Sequence, residues 1–306
     1  MKLALICVCA VILDRWLGEP RRWHPLVGFG NLAQQAEQWF YGPPQLSAQW
    51  RRLRGGMALM CLIFPAVLGI WLLSLVAYGE FIIEIGILYL ALGATSLAEH
   101  ARAVANALYA HNLPMARQRV GLMVSRDTGT MNQTQVSTAA VESVLENGCD
   151  AVFGALFWFA VAGAPGVVLY RLVNTLDAMW GYRTTRYLQF GWAAARLDDI
   201  LNCVPARLTA LSYTLLGQQR LAWRCWRLQA SAWQSPNAGS VMAAGAGALG
   251  VSLGGAASYH GQWIHRPSLG AGLPPGAFDI DRAVKLMNAV IVLWLLGIAI
   301  GGWLLA

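Results

Sequence analysis

Uncharged, mostly apolar stretches dominate the chain. Residues 55–79, 151–170, 228–265 and 286–306 contain no Asp, Glu, Lys or Arg. About 20 such residues suffice for a helix to cross about 30 Å of hydrocarbon. The pattern predicts apolar segments at about 3–13, 57–79, 85–98, 151–170, 236–264 and 286–306. The first follows a single Lys2 and has no small-residue cleavage site, so it reads as a retained helix and not a signal peptide. Segment 151–170 holds Gly163-Ala-Pro165-Gly166, which breaks a helix. It is expected either to span or to fold back as an embedded hairpin covered by protein. Segment 236–264 presents the same choice, and 286–306 reads as a plain span.

Polar stretches between these runs also carry helix signals. Asn112 caps a helix with Pro114 in its first turn. A second helix, roughly 132–149, places Val136, Ala140, Val144 and Leu145 on one side. Gly42-Pro43-Pro44 and the stretch from Pro267 to Pro275 mark loops. Strand signals are weak and no repeat is evident. The expected fold is all-α: a polytopic helical integral membrane protein with large cytoplasmic helical segments, broken or embedded hairpin helices, and one domain over 1–306.

Composition narrows the class. Of 306 residues, 57% are hydrophobic and 12% charged, with a mean hydropathy of +0.48. That charge content is about half the roughly 25% of a soluble chain, which excludes an ordinary cytosolic protein, a disordered chain and a secreted disulfide scaffold. None of the six cysteines forms C-x-x-C, and each reads as a small buried hydrophobe. The net charge of +7 fits lipid headgroups and phosphate substrates, not nucleic acid, and the 14 Trp fit a membrane-interface belt. Basic residues cluster in 14–56, 99–150 and 171–227, whereas 57–98 carries only Glu80 and Glu84. The positive-inside rule therefore puts the three basic segments in the cytoplasm and the 80–84 turn outside.

Three constellations carry candidate chemistry. Glu142, Glu146 and Asp150 recur every four residues, a stripe about 80° wide on an ideal helix. The stripe, with Asn147 beside it, is either a Mg²⁺ site or a solvated face with arginine partners. In 170–207, Arg171, Asn174, Asp177, Tyr182, Arg196, Asp198, Asp199, Asn202 and Arg207 alternate acid and arginine without a lysine. They suit phosphate or carboxylate clamps, or form structural ion pairs. Asp14, Glu19 and His24 sit in a Gly/Pro-fixed turn after the first apolar run, where His24 is a base, a ligand or a structural donor. Gly245-Ala-Gly247-Ala-Leu-Gly250 matches a dinucleotide fingerprint, but no strand precedes it, so small-residue helix packing is the better reading. Ser235 and Asn237 cap the helix that follows, whose N-terminus could face an anion. His100, His111, His260 and His265 are assigned no metal.

These segments together resemble the adenosylcobinamide-phosphate synthase (CobD/CbiB) family of cobalamin biosynthesis. The resemblance rests on Asp14 to Gly18-Glu19-Pro20 with His24-Pro25, Ser125-Arg126-Asp127-Thr128, and Glu142-Ser143 with Glu146-Asn147 and Asp150. It continues through Tyr170-Arg171, Asn174-Thr175-Leu-Asp177, Gly181-Tyr182, Arg196-Leu-Asp198-Asp199, Pro205-Ala-Arg207 and Ser235-Pro236-Asn237-Ala-Gly239. In order and spacing it covers 14 to about 261.

The resemblance implies a synthase of the bacterial inner membrane with a cytoplasmic active site. It would join a carboxylate of adenosylcobyric acid, a corrinoid, to (R)-1-aminopropan-2-ol or its O-phosphate, using ATP and Mg²⁺. Association with other late cobalamin-pathway membrane enzymes is compatible with it. The candidate catalytic acids are then Asp127, Glu142, Glu146, Asp177, Asp198 and Asp199, with Glu142, Glu146 and Asp150 as metal ligands. Candidate substrate contacts are Asp14, Glu19, His24, Ser125, Arg126, Asn147, Arg171, Asn174, Tyr182, Arg196, Arg207, Ser235 and Asn237. The alternatives are a membrane transporter, which would show charges inside long spans and matched broken helices, and a non-catalytic sensory membrane protein on a related scaffold.

Overall fold

The structure, a computed structural model, describes residues 1–20, 24–75, 79–259 and 261–304. His260 lies outside the described residues. In chain order the helices are α1 (Lys2–Leu17), α2 (Pro25–Phe40), α3 (Ala48–Ser74), α4 (Glu80–Ala91), α5 (Ala94–Tyr109), α6 (Leu113–Val120) and α7 (Gln133–Gly148). A π-helical turn, Cys149–Phe153, leads into α8 (Gly154–Trp180), then α9 (Tyr187–Phe190), α10 (Trp192–Leu216), α11 (Gln219–Gln229) and α12 (Pro236–Leu249). Four short strands follow, β1 (Ser252–Leu253), β2 (Ala257–Tyr259), β3 (Gln262–Ile264) and β4 (Leu269–Gly270), before α13 (Ala277–Leu304). Ala48–Ser74, Glu80–Tyr109, Gln133–Trp180 and Ala277–Leu304 are long and apolar enough to cross a membrane. The protein is an all-α polytopic membrane protein.

The chain forms two compact units where the sequence suggests one domain. One comprises Met1–Gly93, Gly154–Cys203 and Gly301–Ala306, the other Ala94–Phe153 and Val204–Ile300. Both are discontinuous and no polar linker separates them, so composition along the chain carries no boundary signal.

In the first unit α1 packs on α4, and α3 packs on α8 and α9. Segment α8 is not a straight rod. Ala162 (φ −135°, ψ 17°) and Gly163 (φ 62°, ψ −153°) leave helical geometry, and the Gly154 backbone meets the Tyr170 ring. Sixteen residues of straight helix would separate those two by about 24 Å, so the chain doubles back at Gly163. The positive φ there suits glycine, and Pro165 opens the returning arm. Of the two expectations for 151–170, the hairpin is the one formed.

In the second unit α5 packs on α6 and α7, and α12 packs on α7 and α11. The expected caps are present: Asn112 Oδ1 accepts from Met115 N at 3.0 Å, and Ser235 Oγ from Ala238 N at 3.3 Å. Segment 236–264 does not form one span-length helix. Its helix α12 has only 14 residues and is buried at Asn237 and from Gly239 to Leu249. The remainder forms the antiparallel pairs β1–β4 and β2–β3. An all-apolar run of this length is a core helix here because its small residues admit neighbours closely. A Cβ on Gly247 would stand 2.6 Å from the Ala222 Cα of α11. Gly247→Val is therefore expected to cost about 1–3 kcal/mol by overpacking, measured by denaturant unfolding in detergent; unchanged stability would contradict this packing.

The cysteines also depart from expectation. Cys7, Cys149 and Cys225 are buried, but Cys61 and Cys203 are exposed. Cys61 lies in the uncharged part of α3, where an outward apolar side chain meets lipid and needs no protein cover.

Candidate functional site

In the second unit, a reciprocal capping box starts α7. Asn132 Oδ1 accepts from Gln135 N, and Gln135 Oε1 from Asn132 N, both at 2.9 Å. The helix is buried from Val136 through Leu145, which takes Glu142 into the interior with 1% exposure. Its carboxylate is fully engaged. Oε2 accepts from Arg126 Nη2 at 2.6 Å and Arg266 Nη1 at 2.9 Å, and Oε1 accepts from Gly254 N at 2.8 Å and Arg266 Nη2 at 3.3 Å.

Arg266 is spent on this arrangement. Its Nε donates to Gly255 O at 3.1 Å, its Nη2 also reaches Gly254 O at 3.3 Å, and its guanidinium lies 5.3 Å from the Trp233 ring centroid. Arg126 differs: Nη2 to Glu142 is its only hydrogen bond among the described residues. Burial alone would lower the Arg126 pKa, but the Glu142 carboxylate reverses this and holds it above its ordinary value.

Arg126, Arg266 and Gly254 line a small, partly open pocket together with Asp127, Gln135, Thr138, Ser258 and Trp263. Asp127 is fixed at its rim. Its Oδ2 accepts from Ser258 Oγ at 2.6 Å and Gly261 N at 2.8 Å, while its own N–H donates to Ser258 O at 2.9 Å. Ser125 is exposed beside them. The pocket thus presents a guanidinium with unspent donors next to an anchored carboxylate.

Among the described residues the carboxylate stripe is not gathered into one metal-ligating group. Glu142 is saturated by two guanidinium groups and a backbone N–H. Glu146 is half-buried one turn on, and Asp150 falls in the π-helical turn, which breaks the four-residue register. Among the described residues no group of three or more His, Cys, Asp or Glu side chains is placed to hold a metal ion. Asn147 Nδ2 donates to Ser143 Oγ at 2.9 Å. Arg207 hydrogen-bonds to Asn237 Oδ1, at the first turn of α12.

The other predicted residues lie in the first unit. Tyr170 Oη donates to Asn202 Oδ1 at 2.8 Å, Asn202 Nδ2 to Asp198 Oδ2 at 3.0 Å, and Asn174 Nδ2 to Asp198 Oδ1 at 3.3 Å. Arg171 Nη1 reaches Asn174 Oδ1 at 3.3 Å. Asp199 lies 3.9 Å from the exposed Arg196, Tyr182 is exposed, and the Asp177 carbonyl accepts from Gly181 N. Asp14 is buried, with its carbonyl accepting from Gly18 N. His24 is a helix cap: its Nδ1 accepts from Leu26 N at 3.2 Å, leaving Nε2 3.9 Å from Glu19 Oε1.

Burial is the main cause that raises the Asp198 carboxyl above the ordinary 3.8, against the opposing hydrogen bonds from Asn202 and Asn174. A raised folded pKa means the native state holds the proton more tightly. The resulting stability is full below the unfolded pKa and is lost as pH rises through the folded one. Wild type is expected to lose stability relative to Asp198→Asn from about pH 4 upward. A pH series of Tm values checks this, and parallel curves would refute it.

Arg266, Ser258 and Trp233 belong to the site and were not singled out from sequence. The one available signal is that Arg266 is the first charge after the uncharged 228–265.

Residues 7–287 match the family described as CobD/Cbib protein. A cobalamin biosynthesis protein CobD from Chromobacterium violaceum is 59% identical over 96% of this chain and 95% of its own length. One from Stutzerimonas stutzeri is 58% identical over the whole of both chains. One from Mycobacterium tuberculosis is 39% identical over 91% of this chain and 89% of its own. No solved structure matches this chain with significance.

Proposed function

Because this chain belongs to the CobD/CbiB family and so serves cobalamin biosynthesis, we propose that it is a membrane-bound, ATP-dependent amide ligase. It joins a carboxylate of adenosylcobyric acid to (R)-1-aminopropan-2-ol or its O-phosphate. A carboxylate does not form an amide with an amine at neutral pH unless it is activated. Transfer of the ATP γ-phosphoryl to the carboxylate gives an acyl phosphate and ADP. The amine then attacks the acyl carbon, phosphate leaves, and the nitrogen loses a proton.

The observation that supports this reading is Arg126 in its pocket. Phosphoryl transfer needs positioned positive charge more than covalent help. Glu142 and Arg266 hold Arg126 in place while leaving its Nε and Nη1 for a phosphate or carboxylate oxygen. Asp127 is placed beside it to receive a proton or to position the amine. The described carboxylates do not suit a protein-built Mg²⁺ cage, so no step is assigned to one.

The test is ADP release and amide product from detergent-purified protein supplied with corrinoid, amine and ATP. Corrinoid-dependent ATP turnover with amide product is expected. Absence of ATP turnover when all substrates are present would refute the ligase reading.

The location proposed is the bacterial inner membrane with the site in the cytoplasm. The α8 hairpin supports it, since a chain that doubles back at Gly163 returns to the side it came from. Cysteine labelling of position 126 only from the periplasmic face would refute that placement.

A further inference from the structure

Helix α11, outside the pocket, bears an arginine stripe with no protein partner. Arg220, Arg224 and Arg227 fall within about 60° of arc on an ideal helix. All three are exposed, and none has an ion pair or hydrogen bond among the described residues. The opposite face, with Ala222 and Cys225 buried, packs on α12. Trp223, 47% exposed, and Leu228, 69% exposed, flank the stripe on opposite sides, each about 40° beyond its edge. No Asp or Glu occurs between Asp199 and Asp279, so the segment itself supplies no counter-charge.

The height of α11 relative to the bilayer can be read from its neighbours. Span α13 carries its last charge at Lys285 and is uncharged from there to its end, which sets the polar boundary near 285. Arg282 Nη2, one turn before it, donates to Leu249 O at 2.7 Å, and Gln218 N donates to Ala248 O at 3.0 Å. Gln218, immediately before α11, is thus level with the charged end of α13. Deeper in, Trp294 Nε1 donates to Ser212 Oγ at 3.0 Å. Position 294 is about 13 Å along the uncharged part of α13 at 1.5 Å per residue, so α10 runs from within the hydrocarbon at 212 to the headgroup level at 218.

We propose that α11 is an interfacial helix whose arginine stripe binds the phosphates of anionic phospholipids, with Trp223 at the acyl boundary. The charge sign, the unspent guanidinium groups and the height of the helix all match that occupant. The inference rests on the membrane fold and does not depend on the reaction catalysed.

The experiment uses the full chain in detergent micelles, titrated with brominated phosphatidylglycerol or brominated phosphatidylcholine. Quenching of tryptophan emission is read as the difference between wild type and Trp223→Phe, which isolates Trp223. Phosphatidylglycerol is expected to quench Trp223 at roughly 100-fold lower concentration than phosphatidylcholine, about five-fold for each arginine near the surface. The triple Arg→Gln variant is expected to abolish that preference and the triple Arg→Lys variant to keep most of it. Inorganic phosphate is expected not to reverse the quenching at matched ionic strength. An equal lipid preference in wild type and the Gln variant, or a Trp223 that neither lipid quenches, would overturn the proposal. Should the triple Gln variant fail to fold, Arg224→Gln alone decides it, with a five-fold loss supporting and no loss refuting.

Discussion

Glu142→Gln is expected to destabilise the protein by about 3–5 kcal/mol, the cost of breaking a buried ion pair by removing one partner. The substitution keeps the size of the side chain, removes its charge and turns one acceptor oxygen into an NH₂ that faces N–H donors. Two guanidinium groups, Arg126 and Arg266, then lose their shared counter-ion while 11% and 10% exposed. A solvated carboxylate would behave differently, since surface changes stay within about ±0.5 kcal/mol. Glu146→Gln, one turn along, makes the internal comparison: no ion pair holds Glu146 among the described residues, so its neutralisation is expected to cost little. Denaturant unfolding of both variants in mild detergent at neutral pH measures the difference. A Glu142→Gln protein as stable as wild type would mean that the buried cluster does not bear on folding.

Local features were legible in the sequence because they are written in neighbouring residues. The caps at Asn112 and Ser235 need only a side chain and the turn that follows it. Gly163 followed by Pro165 announces a break, and the structure turns the chain back there. The small residues of 239–250 announce close helix packing, and Gly247 meets the α11 backbone.

What was not legible depends on residues far apart in the chain. Glu142 looked like part of a metal stripe because its partner Arg266 is 124 residues away, and nothing local to either names the other. The stripe itself assumed a regular helix, whereas the π-helical turn at 149–153 moves Asp150 out of register. The uncharged run 236–264 looked membrane-like because hydropathy does not distinguish a core helix from a span. Only its burial on all sides, and the strand pairs after it, make that distinction.

The largest catalytic effect is expected at Arg126. Arg126→Lys keeps the positive charge beside Glu142 but replaces the planar five-donor fork by a three-donor ammonium. One lysine donor can still pair with Glu142, and Arg266 stays in place, so the fold is expected to survive with a small change in Tm. What is lost is the remaining guanidinium edge at the pocket. If that edge holds an oxygen whose charge grows during phosphoryl or acyl transfer, amide formation falls by roughly 10²-fold, the scale of losing one preorganised electrostatic contact. Arg266→Lys supplies the opposite signature. Its donors go to Glu142 and to the carbonyls of Gly254 and Gly255, so shortening the fork is expected to lower Tm more than Arg126→Lys does. The pair of variants separates a ligand-facing arginine from a structural one that lies against the same carboxylate. Measured together, kcat/KM for amide formation and Tm in detergent give a two-way contrast. Wild-type turnover in Arg126→Lys would remove Arg126 from the reaction and leave Asp127 as the pocket's remaining candidate for chemistry.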